Sequence, residues 1–350
     1  MHLSQPPLAM LLAFLAALAM TPILRRVAIR FGYVAQPRAD RTWHSRPTAL
    51  LGGAAIAIPT LVGTLVLVPI APVWPILLAA TLLFALGLAD DLRSLKPSTK
   101  LVAQAAVASI LVYQGFGLHW THSPTLDSLL TIFWMVGITN AFNLLDNMDG
   151  LCAGVAVIAG AALVICLQPG AAAEATYLWL LLGATAGFLV FNFNPASIFL
   201  GDGGSFFIGS SLAAMALRLD HGAATSQEMV SVIVVPVFVL LVPILDTTLV
   251  TLSRLWHGKN PSVGGRDHSS HRLVAIGLSE RAAVGVLWAL AALGGGVAAG
   301  LRYLHTDWSW PIAALLLAAA GVFAAYLAQV KVYHGVEPEQ AVPGEGAGQA

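Results

Sequence analysis

Residues 126–167, LDSLLTIFWMVGITNAFNLLDNMDGLCAGVAVIAGAALVICL, hold two apolar runs on either side of a polar corner. A bilayer core about 30 Å thick is crossed by about 20 mostly apolar residues at 1.5 Å rise each. The runs Leu126–Phe142 and Leu151–Leu167 therefore read as membrane helices, and the corner between them falls at a membrane surface. The corner carries Asn140, Asn143, Asp146, Asn147 and Asp149, five amides and acids in ten residues. One Asn or Asp there is an ordinary helix cap. Five are not, because polar and ionisable groups at membrane depth are costly and usually belong to a site.

The same alternation runs through the whole chain. Nine further apolar stretches read as spans: Leu8–Leu24, Leu51–Ile70, Pro75–Ala89, Leu101–Phe116, Tyr177–Phe193, Ser205–Leu217, Val230–Leu252, Ala282–Leu301 and Pro311–Val330. The expected fold class is all-α, a polytopic membrane protein of about 11 transmembrane helices, with the third and eighth segments short. Composition agrees: 58% of the 350 residues are hydrophobic, 10% are charged and the mean hydropathy is +0.81. A soluble globule carries about a quarter charged residues. We expect one catalytic membrane domain over residues 1–333 and a disordered tail over 334–350, whose GVEPEQAVPGEGAGQA has too few apolar groups to pack. Cys152 and Cys166 fall on one helix about 21 Å apart, too far to bridge, and read as packing residues. No repeat of solenoid period is evident.

Orientation follows from Lys and Arg, which stay on the cytoplasmic side during insertion. Fifteen of the seventeen basic residues fall on one face, among them Arg25, Arg93, Lys100, Arg254 and Arg281; only Arg218 and Arg302 fall on the other. This puts the N-terminus outside and the C-terminus in the cytoplasm, and the zero net charge conceals the asymmetry. The first stretch has no basic residue ahead of it and Arg25-Arg26 behind it, so it reads as a retained span rather than a cleaved leader.

With that topology, four polar clusters share the cytoplasmic face and suggest one composite site. Asp90 and Asp91 end the third span in GLADDLRSLKPSTK; adjacent helical residues point about 100° apart, so each carboxylate can serve a different group, with Lys96 and Lys100 near for phosphate. In the corner, Asn143, Asp146 and Asp149 are spaced by three and can share a helix face in pairs. The third cluster, FNFNPASIFLGDGGSFFIG, sets Asp202 in a glycine-rich turn at a helix start, whose N–H groups suit phosphate, although Gly and Asp also make plain turns. The fourth, RLWHGKNPSVGGRDHSSHRL, offers His268 and His271 flanked by Arg266, Asp267 and Arg272, a cationic lid for an anion. It has too few ligands for zinc. Asp246, eight residues before Arg254, reads as a supporting or packing polar group, and His44 and Arg46 as substrate or headgroup contacts. His119, His122 and His305 fall on the outer face, and Trp74, Trp308 and Trp310 fit interfacial anchoring.

Carboxylates, amides, a glycine-rich helix start and scattered cations at a membrane surface suit a divalent metal on a diphosphate, since Mg²⁺ takes oxygen ligands and shares them with substrate phosphates. The membrane location points to a lipid as the other reactant.

DDLRSLKPSTK, NAFNLLDNMDGL, FNFNPASIFLGDGGS and GRDHSSHRL together resemble, in order from about Arg25 to Arg281, the cytoplasmic motifs of the polyprenyl-phosphate N-acetylhexosamine-1-phosphate transferases. This superfamily also holds the phospho-MurNAc-pentapeptide translocase. The resemblance implies ten or eleven helices and Mg²⁺ dependence, with Mn²⁺ as a substitute. It implies transfer of sugar-1-phosphate from a UDP-N-acetylhexosamine to undecaprenyl phosphate with release of UMP, at the inner face of the plasma membrane.

Carried over by position, Asp90 or Asp91 would deprotonate or orient the polyprenyl phosphate, Asp202 would bind the metal with Asp91 and Asn143, and Asn143, Asp146 and Asp149 would hold the diphosphate and nucleotide region. Asn192 and Phe199 match uridine contacts, Lys100 a phosphate contact, and His268 and His271 the histidine motif, with Arg266 and Arg272 beside them. Ser270 stands where relatives carry a third histidine, and TALL precedes Gly52-Gly53 where they often have Pro-Arg-Leu. These departures favour UDP-GlcNAc over the pentapeptide donor. The expected partners are the two substrates and the bilayer, with a second copy of the chain as a further candidate and no nucleic acid. Two rivals fare worse: a CDP-alcohol phosphotransferase would continue past Asp149-Gly150 with an Ala-Arg pair and more Asp, where this chain reads LCAG, and an ion-coupled transporter would hold its acids near the midplane.

Overall fold

Apolar runs broken by Gly, Pro and Asn/Asp corners fold as thirteen α-helices among the described residues of the computed structural model, which are 6–35, 47–118, 120, 121, 123–219, 230–260, 265–304, 308–330 and 332. The tail, His44 and Arg46 lie outside them, as do His119, His122 and His305. In chain order the helices are α1 (Pro6–Arg30), α2 (Gly52–Leu67), α3 (Ile70–Arg93), α4 (Pro97–Tyr113), α5 (Pro124–Leu145), α6 (Leu151–Cys166), α7 (Ala172–Asn192), α8 (Gly201–Leu217), α9 (Val235–Val239), α10 (Leu241–Trp256), α11 (Ser269–Ala275), α12 (Glu280–Leu304) and α13 (Ser309–Ala328). A short antiparallel pair, β1 (Val34–Ala35) with β2 (Thr48–Ala49), follows α1.

Each of the eleven expected apolar stretches lies on helix, and the protein is an all-α membrane protein. By length and composition, α1, α3, α5, α7, α12 and α13 can each cross a bilayer. The ninth stretch was expected to be continuous and is not. It opens with a π-helical turn, Val230–Val234, runs through α9, and bends by 78° into α10. Pro243 supplies the cause, having no N–H to give the Val239 carbonyl. Counted as one, the bent pair is a seventh candidate span. The third stretch was expected to be short, yet α3 continues through Asp90 and Asp91 to Arg93, where Ser94 turns at φ 49° and its N–H closes on the Asp90 carbonyl.

Lipid gives helices no hydrophobic reason to associate, so close packing of small residues does the work. Ala9, Ala13 and Ala17 line the buried face of α1, and α7 meets it at Gly183 and Gly187. A Cβ on Gly183 would stand 2.1 Å from the Met10 carbonyl oxygen. The centre of the bundle is α8, buried continuously from Gly203 to Leu217 and packed by α2, α3 and α5. Its first turn is gripped through glycines: a Cβ on Gly87 of α3 would reach within 2.4 Å of the Asp202 carbonyl oxygen, and one on Gly53 of α2 within 2.3 Å of the Gly204 nitrogen. Glycine is therefore required at both positions for backbones to touch beside Asp202.

Gly87→Ala is expected to lower the melting stability of the detergent-solubilised protein by about 1–3 kcal/mol, the usual cost of overpacking. Gly137→Ala on α5, where a Cβ meets nothing within 4 Å, should be neutral in the same assay.

Candidate active site

The C-terminal ends of α3, α5 and α7 and the N-terminal ends of α4, α6 and α8 gather at one end of the bundle, and the four polar clusters meet there in a continuous hydrogen-bonded network. Asp91 accepts the N–H groups of Asp202 (2.9 Å) and Gly203 (3.0 Å), one on each carboxylate oxygen. It thus caps α8. Two of the N–H groups expected to meet phosphate at this helix start are thereby taken by Asp91, and Gly201, at φ 75°, turns the chain so close that a Cβ would come within 2.7 Å of Asp91 Oδ2. That conformation and that space both call for glycine.

Asp202, in the first turn of the capped helix, is the junction. Lys100 Nζ donates to Asp90 Oδ2 at 2.6 Å and to Asp202 Oδ2 at 3.2 Å, and lies 5.9 Å over the Phe206 ring. Asn143 Nδ2 donates to Asp202 Oδ1 (2.8 Å) and to Ser205 Oγ (3.1 Å). Asp90 also accepts the Leu95 N–H at 2.5 Å, which closes the α3–α4 corner. One lysine therefore holds two acids from different helices, and Asp202 keeps more of its surface open, 29% of the side chain, than Asp90 at 11%.

Asp146 caps the end of α5 beside them. Burial pushes its carboxyl up from the ordinary 3.8 to about 8, helped by the like charges of Asp202, Asp91 and Asp149. Its partly open surface moderates the first of these. With four acids around one lysine, Asp146 keeps its proton, and an added cation would favour its ionised form.

Other expected site residues have structural partners. Asp149 accepts the Ala196 N–H at 2.8 Å and pins the loop before α8. Asn192, 3% exposed, accepts from the Gly150 N–H and donates to the Ile198 carbonyl, which ties its amide to the backbone. Phe199 is half-buried and bridges β2 to α2, its N–H on the Ala49 carbonyl and its own carbonyl on the Gly52 N–H. Arg272, expected in a cationic lid, is 1% exposed: it donates to the Leu327, Ala328 and Val330 carbonyls, to the Asp267 carbonyl and to Ser253 Oγ. It secures the end of α13, because a helix C-terminus leaves carbonyls that a guanidinium can satisfy. Arg266 stands at the start of the same segment with its Nε buried.

The histidine loop is folded around acids that the sequence only half disclosed. His268 Nδ1 donates to Asp246 Oδ2 at 2.8 Å, and Asp246 Oδ1 accepts the Ser269 N–H and hydroxyl at 2.7 and 2.6 Å. His271 stacks edge-on against His268, ring centroids 5.5 Å apart, and burial together with the His268 charge drops its pKa to about 3, so it is neutral. Arg254 and Asp267, both buried, pair through two bonds of 2.8 and 2.6 Å. Ser270, in the place of a family histidine, donates to Asn147 Oδ1 at 2.6 Å and docks the loop on the α5–α6 corner. The sequence gives Asn147 and Arg254 no partner, and nothing in it marks the buried Gln104, which accepts from Asn140 Nδ2 at 2.6 Å. A lone Gln or Arg near an apolar helix carries little signal until its partner is known.

Among the described residues no three His, Cys, Asp or Glu side chains form a ready cage for a metal ion. The donors that do converge are oxygens, and Mg²⁺ commonly takes one or two carboxylates and completes its shell with substrate phosphates and water. The residues fit that kind of site.

Residues 73–220, which hold Asp90 to Asp202, match the glycosyl transferase family 4 profile. A probable undecaprenyl-phosphate N-acetylglucosaminyl 1-phosphate transferase of Bacillus subtilis is 35% identical over 292 residues, 80% of each chain. The chain belongs to glycosyl transferase family 4. A decaprenyl-phosphate N-acetylglucosaminephosphotransferase of Mycolicibacterium smegmatis is 35% identical over 75% of this chain and 73% of its own. A phospho-N-acetylmuramoyl-pentapeptide-transferase of Limosilactobacillus fermentum is 44% identical over a shorter region, 36% of this chain and 42% of its own. In this family 4 chain the shared profile ends before the histidine loop, so the loop's Asp246 and Ser270 contacts are read from its own structure.

The raised Asp146 carboxyl makes metal-free stability depend on pH. Unfolded, it ionises near 3.8; folded, it holds its proton up to about 8. The unfolded state therefore binds fewer protons between these values, and stability falls as pH rises through that window. Metal-free protein is expected to melt progressively lower from about pH 5 to 8, and Asp146→Asn to flatten that slope. Melts of the two proteins across this range check it.

Proposed function

We propose that the protein transfers N-acetylhexosamine-1-phosphate, with GlcNAc as the sugar, from a UDP-sugar to a polyprenyl phosphate and releases UMP. The carrying observation is Asp202, held on the capped start of α8 against Lys100, Asn143 and Asp90, where motifs from α3, α4, α5 and α8 meet. The names of the Bacillus and Mycolicibacterium relatives support the sugar and the lipid acceptor. Ser270 in place of a third histidine and the short match to the pentapeptide transferase favour the smaller donor.

In this reading the N-terminus faces outside, the chain crosses the membrane eleven times, and the site opens to the cytoplasm, which is where a nucleotide sugar is available. Among the described residues, the basic side chains support it: Arg218 and Arg302 stand at the opposite ends of α8 and α12 from the site. The acids cluster at one end of the bundle, unlike a transporter's midplane site.

Asp202 and Asp146, with Asn143 beside them, would hold Mg²⁺, with Mn²⁺ as a substitute. When bound, the ion neutralises charge that builds on the diphosphate during phosphoryl transfer. Lys100, between its two acids, is a point charge for the phosphates. Asp90, with Lys100 as its cation, orients the acceptor phosphate. An oxygen of the acceptor phosphate forms a bond to the sugar-bearing phosphorus as the bond to the bridging oxygen breaks, and the electron pair leaves on UMP. Asp91 acts by holding α8 and Asp202 in place.

Purified protein with Mg²⁺, undecaprenyl phosphate and a panel of UDP-sugars is expected to release UMP with UDP-GlcNAc. Asp202→Asn should reduce this by at least about a thousandfold, the scale of losing a principal electrostatic group. Folded wild-type protein that releases no UMP from any UDP-N-acetylhexosamine would contradict the reading.

A further inference from the structure

Asp246 lies fully buried on α10, one turn past the 78° bend, with no role in the family-profile region of residues 73–220. An ionised carboxylate at that depth requires partners, and all of them come from the histidine loop: His268 Nδ1, the Ser269 N–H and the Ser269 hydroxyl. A carboxylate accepts only, so His268 carries its proton on Nδ1. Nε2 is then the nitrogen through which His268 can meet a ligand. The loop is brought to the acid cluster by Ser270, two residues on, whose hydroxyl reaches Asn147 beside Asp146.

We propose that Asp246 is a positioning residue of the reaction: it fixes the Nδ1-protonated tautomer and the rotation of His268, so that the opposite ring nitrogen, Nε2, is presented to the departing nucleotide. This deepens the sugar-1-phosphate transfer reading and rests on it. The hydrogen bond from Nδ1 to the buried carboxylate sets the ring's tautomer and its rotation. The other charged or titratable groups around the ring are His271 of α11, Arg266 and Asp267 of its own loop, and Arg254 of α10, which Asp267 pairs. His271 remains neutral.

The test compares wild type, Asp246→Asn and Ser269→Ala. The last removes one bond to Asp246 and leaves its charge and its contact with the imidazole. Asp246→Asn is expected to lower kcat at least about tenfold with KM for UDP-GlcNAc within about twofold. Ser269→Ala should lower kcat by less than Asp246→Asn does. A kcat within about twofold of wild type in Asp246→Asn, or a loss in Ser269→Ala as large as that in Asp246→Asn, assigns Asp246 a purely structural role and overturns the proposal.

A second readout needs no activity. In ¹⁵N-histidine-labelled protein, with His268→Gln as the assignment reference, the His268 ring signals should show a protonated Nδ1 in wild type and lose that state at neutral pH in Asp246→Asn. Unchanged signals overturn the proposal. Wild-type protein inactive toward every UDP-sugar would instead defeat the reading it rests on, while the ring signals still judge the Asp246–His268 pair.

Discussion

Negative charge at the edge of a lipid-bounded bundle has to be answered, and in this protein the answers hold the site together. Asp91 is answered by the N–H groups that start α8, Asp90 and Asp202 by one lysine, and Asp246 by a histidine and a serine. Each pairing joins elements distant in sequence: Asp91 to Asp202, Lys100 to Asp202, Asp246 to His268. Unpaired, any of these acids would either take up a proton or pull water into the bundle end. Asp146 shows the first outcome, with a raised pKa where no cation compensates it.

The packing below explains why this network is rigid enough to act on a substrate. Glycines at positions 53 and 87 let two helix backbones touch the first turn of α8, and Gly201 lets Asp91 approach it. The backbone carrying Asp202 is thus fixed from three sides by contacts that leave no room for a methyl group. A site on such an element keeps its geometry without help from a loop. The histidine loop is attached differently, through buried polar pairs: Arg254 with Asp267, Arg272 with the end of α13, and Ser270 with Asn147.

Much of this was legible in the residues. Hydropathy located every apolar helix, because backbone groups in lipid must pair within their own segment and long apolar runs have no other stable form there. The four motifs pointed to one site because they fell on one side of those runs. The break between α9 and α10 was not legible from hydropathy, which stays high across Pro236 and Pro243. Nor were the roles of Asp91, Asn192 and Arg272. An acid beside a metal and an acid capping a helix look alike in one dimension, and only the direction of the α8 N–H groups separates them. Arg272 read as a surface cation because its neighbours are polar, yet its partners are carbonyls more than fifty residues away.

The account stands or falls on all four polar clusters sharing the cytoplasmic side. Cys152 and Cys166 are both buried, which leaves single introduced cysteines as clean reporters. Exposed Ser98 on α4 and Ser279 before α12 lie at the site end, and exposed Thr125 on α5 and Pro169 before α7 at the other. In sealed, right-side-out vesicles, a membrane-impermeant maleimide should label cysteine at 125 and 169 and spare cysteine at 98 and 279 until the vesicles are opened. Labelling of 98 or 279 in intact vesicles, or protection of 125 and 169 alongside them, would contradict the account.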